Sequence, residues 1–257
     1  FVKSCAKAFG LRCSRAGNGI CHALYAEDFA RPGMLLIGAD SHTASCGALG
    51  MLGIGLGGME GSAAMTGDPF PLRVPRVIGI HVTGSLQPGI SAMDAALKLL
   101  AAMTIKGAVN AVLEYYGEGV EALTVPQRQT LCNLGAEMGA TSSVFPADAQ
   151  VASWLKRQGR ESAYAPLAAD EGAVYSEVRE LDLSALEPMV ALPGRPDLGV
   201  PLREAAPVSF SQVFIGSCAN GSYESIARAA LVLKGRHTAP DTELLVACGS
   251  RQVYRQL

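Results

Sequence analysis

The sequence predicts an α/β fold, because short apolar runs alternate along the chain with segments of helical spacing. Residues 77–84, VIGIHVTG, are typical of a buried strand. Residues 91–103 begin at a serine cap and continue with helical spacing. The same order returns later, with a strand predicted at 211–217 and an amphipathic helix at 222–236. We therefore expect three α/β units, the third of them incomplete.

Two seams predict where these units divide. One lies near Val74–Pro75, and the other is the proline-rich stretch 185–207, which has little periodicity. The first unit then covers residues 1–75 and the second covers 76–185, while 186–257 contain a linker and the truncated third unit. The other predicted elements are strands at 34–38, 141–146 and 243–248 and helices at 125–140 and 148–159.

Composition excludes several classes of protein. The chain has 257 residues, enough to bury a large core. Its charged content is 17%, below the roughly 25% usual for globular domains, and its formal net charge is −2. This near-neutral charge argues against a protein that coats nucleic acid. The best candidate for a membrane span, residues 43–59, is glycine-rich and shorter than the roughly 20 apolar residues required. We expect no membrane association.

The seven cysteines indicate a reducing environment. Their number is odd, and no two of them have C-x-x-C spacing. A disulfide framework is typical of small secreted domains and does not suit a chain of this length. We therefore predict reduced thiols and a cytoplasmic location.

Polar residues follow two predicted strands. Asp40, Ser41 and His42 come directly after the strand at 34–38, and Cys218 lies between the strand at 211–217 and a helix. Reactive groups in α/β folds gather at the carboxyl ends of strands. A thiol just before a helix favours the thiolate, which suits a metal ligand or a nucleophile. A turn with a capping aspartate, and an inert buried thiol, are the alternative interpretations.

Three further polar residues are candidates. Asn133 and Glu137 are four residues apart and so share one helix face. His22 lies in the stretch GNGICH. A solvated polar face and a satisfied core histidine are the structural alternatives for these residues.

Six stretches, taken together, resemble the aconitase superfamily. They occur in order over almost the whole chain, at 17–22, 32–58, 77–86, 104–120, 130–146 and 214–226. Within the superfamily, GAEMGATSSVFP, WLKRQGRES and NGSYES are most similar to aconitate hydratases, especially a bacterial type, and less so to isopropylmalate dehydratase large subunits. The resemblance implies an aconitase-type iron–sulfur domain.

The resemblance also implies an activity and a cofactor. Members of the family interconvert citrate and isocitrate through cis-aconitate, removing and re-adding water with a 4Fe-4S cluster as Lewis acid. Hydroxide is a poor leaving group, so an open iron and a nearby imidazolium assist its departure. Thiolates suit the soft cluster irons. The implied partner is a small tricarboxylic acid.

Site residues follow from the resemblance by position. Cys218 matches the first cluster cysteine. The pairing implied for the other groups is Asp40 with His22 and Glu137 with His42. The full set of matched residues is Asp40, Ser41, His42, His22 and Glu137 as catalytic groups, Asn133 and Asn220 as neighbours of the substrate or cluster, and Cys218 as metal ligand. We hypothesise that the glycine-rich run 43–59 is a helix packed close behind the loop.

Departures from the family pattern predict an internal fragment of a longer enzyme. The two further cluster cysteines are expected outside this chain, and so is the C-terminal domain or small subunit needed for activity. Ala219 and Ala23 replace a usual threonine and glutamine. We expect the chain alone to be inactive. The alternatives are an isopropylmalate or homoaconitate dehydratase large subunit and, less favoured, an iron-responsive RNA-binding protein.

Overall fold

The computed structural model describes residues 1–257 and shows an α/β chain with parallel sheets. The helices are α1 Val2–Ala8, α2 Cys21–Asp28, α3 Gly58–Thr66, α4 Ala92–Met103, α5 Val125–Glu137, α6 Ala149–Arg157, α7 Ser217–Asn220, α8 Tyr223–Leu233 and α9 Arg251–Gln256. The 3₁₀ helices are Ser41–Leu49, Glu118–Ala122, Glu161–Ala163, Leu183–Ala185 and Leu202–Glu204. None of the helices combines the length and hydropathy needed to cross a membrane.

Ten strands form four sheets. They are β1 Leu35–Gly38, β2 Leu52–Gly55, β3 Arg76–Thr83, β4 Ala111–Tyr116, β5 Ser142–Val144, β6 Glu177–Asp182, β7 Met189–Ala191, β8 Gly199–Pro201, β9 Gln212–Ile215 and β10 Glu243–Val246. The largest sheet has the order β5-β4-β3-β6 and is parallel throughout. The pairs β1-β2 and β9-β10 are also parallel, whereas β7-β8 is antiparallel.

The core lies against the central sheet. Alternate residues of β3, namely Ile78, Ile80 and Val82, are fully buried, as the two-residue period of a strand requires. They share one apolar cluster with Leu100 of α4 and Leu131 of α5. Ser91 and Thr124 are the N-cap residues of α4 and α5. The residue three positions after each of them completes a capping box.

The glycine-rich run is not a single helix, so that prediction is wrong. It forms most of the 3₁₀ helix, then β2 and the start of α3. Gly50, at φ 73°, ends the 3₁₀ helix in the left-handed region that glycine favours. A Cβ at Gly53 would lie 2.4 Å from the Thr43 carbonyl oxygen, and one at Gly55 would lie 2.7 Å from that of Asp40. Glycine therefore lets β2 lie directly against the loop 40–43.

The 3₁₀ helix Ser41–Leu49 packs on α5 and β5. A Cβ at Gly47 would lie 1.6 Å from the Ser143 carbonyl oxygen, so only glycine fits there. The Gly47 carbonyl accepts from Phe145 N at 2.9 Å, and Ser142 Oγ donates to the Gly53 carbonyl at 2.7 Å. Residues before and after Val74–Pro75 thus share one core. The boundaries at 75 and 185 remain a prediction.

Two arginines of the second predicted unit, one partly buried and one fully buried, join neighbouring segments through hydrogen bonds. Arg160 donates to the carbonyls of Ala26, Glu27 and Ala30 at 3.3, 3.0 and 2.5 Å, at the carboxyl end of α2. Such contacts satisfy carbonyls that a helix end leaves unpaired. Arg128 is fully buried and donates to both carboxylate oxygens of Asp148.

The aperiodic stretch 185–207 is partly ordered as strands. It contains β7 and β8, and Met189 N donates to the Asp94 carboxylate of α4 at 2.7 Å. The last unit then docks on α5, where Glu224 accepts from Thr124 Oγ1 and Gln127 Nε2, each at 2.8 Å. These contacts hold the last unit at the amino end of α5, and the loop after β9 reaches further along the same helix, to Thr130 and Asn133.

Candidate functional site

The loop after β1 is held by its own aspartate. Asp40 has extended backbone angles and caps the 3₁₀ helix, because its Oδ1 accepts from His42 N at 2.8 Å. Thr43 Oγ1 donates to the Asp40 carbonyl at 2.7 Å. The cap fixes the direction of the Asp40 carboxylate and of the His42 side chain together.

His22 forms the first imidazole–carboxylate pair. It is the second residue of α2, only 6% exposed, and its Nδ1 lies 3.5 Å from Asp40 Oδ1. Burial, the larger effect, lowers the pKa of the His22 imidazole, and the charge of Asp40 opposes that shift. The other ring nitrogen, Nε2, is buried without a hydrogen-bond partner. An unpaired buried nitrogen is costly unless a ligand meets it.

His42 forms the second pair. Its Nε2 lies 3.2 Å from Glu137 Oε1, at the end of α5, and its Nδ1 lies 3.3 Å from Ser41 Oγ. The same Nδ1 is 3.8 Å from Asp40 Oδ1, the oxygen that also faces His22. The two rings have centroids 6.3 Å apart. Both pairings implied by the resemblance are therefore present as contacts.

Cys218 approaches this group through Asn133. The thiol is half-buried in α7, and its Sγ lies 3.6 Å from Asn133 Oδ1. The amide of Asn133 is 3% exposed and donates to Ser45 Oγ at 3.0 Å. Ser217, just before the thiol, has φ 71°, a conformation that residues other than glycine rarely adopt. Asn133 and Glu137, one turn apart on α5, thus contact Cys218 and His42 respectively.

One cavity joins the thiol and the first imidazole. Cys218, His22 and Ser45 line a space of about 110 Å³ between α2, α5 and α7. A soft thiol and a histidine that line the same cavity suit a metal site. The donor chemistry therefore fits one corner of an iron–sulfur cluster, and the chain supplies one thiol there. All seven cysteines are free.

Asn220 stands apart from the other predicted residues. It lines a separate cleft of about 420 Å³ together with Asp94, Thr130 and Arg228. No hydrogen bond joins its side chain to the imidazole–carboxylate pairs. Its neighbour Ala219 is positioned by α5, since Thr130 Oγ1 donates to the Ala219 carbonyl at 2.8 Å.

Sequence reasoning missed two residues of the site. Ser45 accepts a hydrogen bond from Asn133. Its only signal in the sequence was its position on the same 3₁₀ helix as His42. Cys21 has its Sγ 3.8 Å from His22 Nδ1, and its ligand atom, with those of His22 and Asp40, falls within a 4.8 Å group. The available signal for Cys21 was its place beside a candidate histidine.

Comparison with known proteins identifies the class to which this fold and site belong. A family model described as the aconitase family (aconitate hydratase) matches residues 1–212 and 206–257. The chain belongs to the aconitase family, whose aconitate hydratases are hydro-lyases.

Curated relatives cover almost the whole chain. It is 41% identical to the mitochondrial aconitate hydratase of Gracilaria gracilis over 91% of the chain and 32% of that protein. It is 40% identical to the mitochondrial aconitate hydratase of Candida albicans over 97% of the chain and 34% of that protein. It is 38% identical to the mitochondrial homocitrate dehydratase of Saccharomyces cerevisiae over 100% of the chain and 35% of that protein. The chain thus spans about a third of the length of these relatives.

Proposed function

We propose that the chain is part of a hydro-lyase that interconverts citrate and isocitrate through cis-aconitate. The observation that carries this proposal is the pair of imidazoles that meet on Asp40 Oδ1, with His22 sharing a cavity with the Cys218 thiol. Dehydration of a hydroxy acid requires proton delivery beside a Lewis acid, and this arrangement provides residues for both. The family membership and the aconitate hydratases among the relatives support it.

We assign the cofactor as a 4Fe-4S cluster held in part by Cys218. Such a cluster, when bound, supplies a Lewis-acid iron that weakens the bond to the departing hydroxyl. Asn133 orients the thiol from one side, and Ser217 Oγ lies 3.5 Å from Sγ on the other. The remaining two thiolate ligands would come from outside these 257 residues.

His22 is the group that holds and moves the proton. Asp40 faces its Nδ1, and the buried Nε2 has no hydrogen-bond partner, so Nε2 is the nitrogen left to exchange a proton with the substrate. Burial lowers the pKa of His22, so a proton taken up at Nε2 is readily released to a leaving hydroxyl. Neutral His22 then offers Nε2 as the acceptor when water is added back.

His42 and Glu137 position the loop around this proton donor. Glu137 accepts from His42 Nε2–H, and His42 Nδ1 then accepts from the Ser41 hydroxyl. The ring is held at both nitrogens, so it fixes the orientation of Ser41 and of the loop that carries Asp40.

A second candidate function concerns the substrate. The Saccharomyces cerevisiae relative that aligns with the entire chain is a homocitrate dehydratase, so a homoaconitate-type acid is the alternative substrate. An isopropylmalate-type acid is a further member of this class. The compartment we propose is a reducing one, in keeping with seven free thiols, and the relatives named above are mitochondrial.

The test uses full-length protein reconstituted anaerobically with iron and sulfide. Turnover is measured on citrate, isocitrate, cis-aconitate, homocitrate and isopropylmalate. We expect activity on the citrate series, and a fall in kcat of about 10²–10⁴-fold for His22→Gln with an unchanged cluster spectrum. His237→Gln, which alters an exposed histidine, is the matched control and keeps full activity. Full activity in His22→Gln, or turnover of none of these acids, would contradict the proposal.

A further inference from the structure

Cys21 adds a third donor to the pair formed by His22 and Asp40. Its Sγ lies 3.8 Å from His22 Nδ1, and that nitrogen lies 3.5 Å from Asp40 Oδ1. One ligand atom from each of the three residues falls within 4.8 Å of the others. The residues come from two elements, the first turn of α2 and the cap of the 3₁₀ helix.

Two of these three separations are close to those in the coordination sphere of a small cation, and the third, between Cys21 and Asp40, is at most 4.8 Å. Zinc–ligand bonds of about 2.3 Å to sulfur and about 2.0–2.2 Å to nitrogen and oxygen place tetrahedral ligand atoms roughly 3.3–3.6 Å apart. The Cys21–His22 and His22–Asp40 distances lie within a few tenths of an ångström of that range. Two elements fixed by helix formation and by capping therefore hold the donors near the required geometry before any ion binds.

The donor set also selects the kind of ion. A thiol, an imidazole and a carboxylate suit Zn²⁺ and Co²⁺, whereas Mg²⁺ and Ca²⁺ prefer oxygen ligands alone. Cys21 is exposed and lines a cleft of about 660 Å³ with Arg12 and Asn18, so an ion can meet this donor directly from solvent. The fourth position would then be taken by water.

We propose that Cys21, His22 and Asp40 form a mononuclear site for a zinc-class divalent cation, distinct from the ligand position of Cys218. Binding exchanges the thiol proton of Cys21 for the metal and uses His22 Nδ1 and Asp40 Oδ1 as the other ligands. The occupied site would hold the same imidazole and carboxylate that the proposed hydratase uses. Binding of the cation and hydratase catalysis by the same residues therefore exclude each other. The proposal itself does not depend on hydratase activity.

Cobalt binding to the metal-free, reduced 257-residue chain tests the site directly. We expect one equivalent of Co²⁺ to bind, with thiolate-to-cobalt charge-transfer absorption in the near ultraviolet and the visible bands of a four-coordinate ion. Zn²⁺ should displace it, and an excess of Mg²⁺ should not. Circular dichroism of every variant checks that the fold is retained.

Matched cysteine variants identify the ligand. Cys21→Ser should lose the charge-transfer band and weaken Co²⁺ binding by at least about 10–100-fold. Cys13→Ser, an exposed thiol in the preceding segment, should behave like the parent. Asp40→Asn should weaken binding while keeping the band. A band that persists in Cys21→Ser, or that disappears instead in Cys218→Ser, overturns the proposal, as does a six-coordinate spectrum without thiolate absorption.

Discussion

His42 Nε2 lies 3.2 Å from Glu137 Oε1, and this contact joins residues 95 positions apart in the sequence. It connects the loop after β1 to the last residue of α5, the helix that also carries Asn133. The orientation of the loop and the position of the thiol therefore both depend on α5.

Replacing Glu137 by glutamine tests this connection. Glu137→Gln keeps the shape but removes the charge that holds the His42 ring, so we expect kcat of the full-length enzyme to fall about 10²-fold. KM should change little, since Glu137 acts through His42. Steady-state assay on cis-aconitate measures both constants. Glu118→Gln, at an exposed glutamate, should leave them as they are. Equal losses in the two variants would remove Glu137 from the mechanism.

The environment of His22 predicts its titration. Burial lowers the pKa of this imidazole, so its proton NMR signal should titrate with a midpoint below the ordinary value for histidine. Asp40→Asn removes the charge that opposes the shift and should lower the midpoint further. Asp170→Asn, at an exposed aspartate, serves as the control. An unchanged midpoint in Asp40→Asn would show that the charge of Asp40 does not act on His22.

The same shift has a consequence for stability. A histidine whose folded-state pKa is lowered binds its proton more readily in the unfolded chain, so stability falls as pH falls from the unfolded value through the folded one. Above the unfolded value the contribution is fully present. The His22→Gln variant should therefore show a smaller loss of unfolding free energy in that acidic window, measured by urea denaturation at a series of pH values.

Replacement of Arg128 is expected to cause a large loss of stability. It is fully buried and bonds the Asp148 carboxylate and the carbonyls of Leu123, Pro146 and Val120. Arg128→Met leaves the carboxylate without its partner, and we expect the free energy of unfolding to fall by about 3–5 kcal/mol. Urea denaturation gives the value. Arg203→Met breaks an exposed ion pair and should cost no more than about 1 kcal/mol. Similar values for the two would contradict the role of burial.

Gly47 is predicted to tolerate no side chain. A Cβ there would overlap the Ser143 carbonyl oxygen, so Gly47→Ala must displace β5 or the 3₁₀ helix and should cost about 3 kcal/mol or more. At Gly58 nothing lies within 4 Å of the added atom, and Gly58→Ala should stay within about 0.5 kcal/mol of the parent. Thermal and urea unfolding compare the two. Near-neutral behaviour of Gly47→Ala would mean that β5 moves without cost.

The sequence allowed most strands and helices to be predicted where a single local pattern dominated. The helix capped by Asp148 and the strand that ends at Thr83 follow directly from capping and apolar runs. The glycine-rich run misled because glycine leaves no periodicity to interpret, and its strand β2 pairs with β1 while its backbone lies close to that of Thr43. The strand β4 was not predicted, and neither was β6, whose exposed charged residues give no buried pattern.

The candidate site shows the same limit. His22, His42 and Glu137 could be proposed by resemblance, and their contacts are present. Ser45 and Cys21 were not proposed, because the contact of Ser45 with Asn133 joins distant segments and the place of Cys21 beside His22 becomes meaningful only once Asp40 is brought next to them. Asn220 was predicted as a neighbour of the substrate or cluster, yet it and Cys218 line different cavities.

Arg160 has a further consequence for how the molecule can move. Its guanidinium donates hydrogen bonds to three carbonyls at the end of α2, and His22 lies at the other end of that helix. A swing about Val74–Pro75 would have to break these bonds and the contact at Gly47. That junction therefore does not act as a hinge, and both histidines and Glu137 travel as one rigid body.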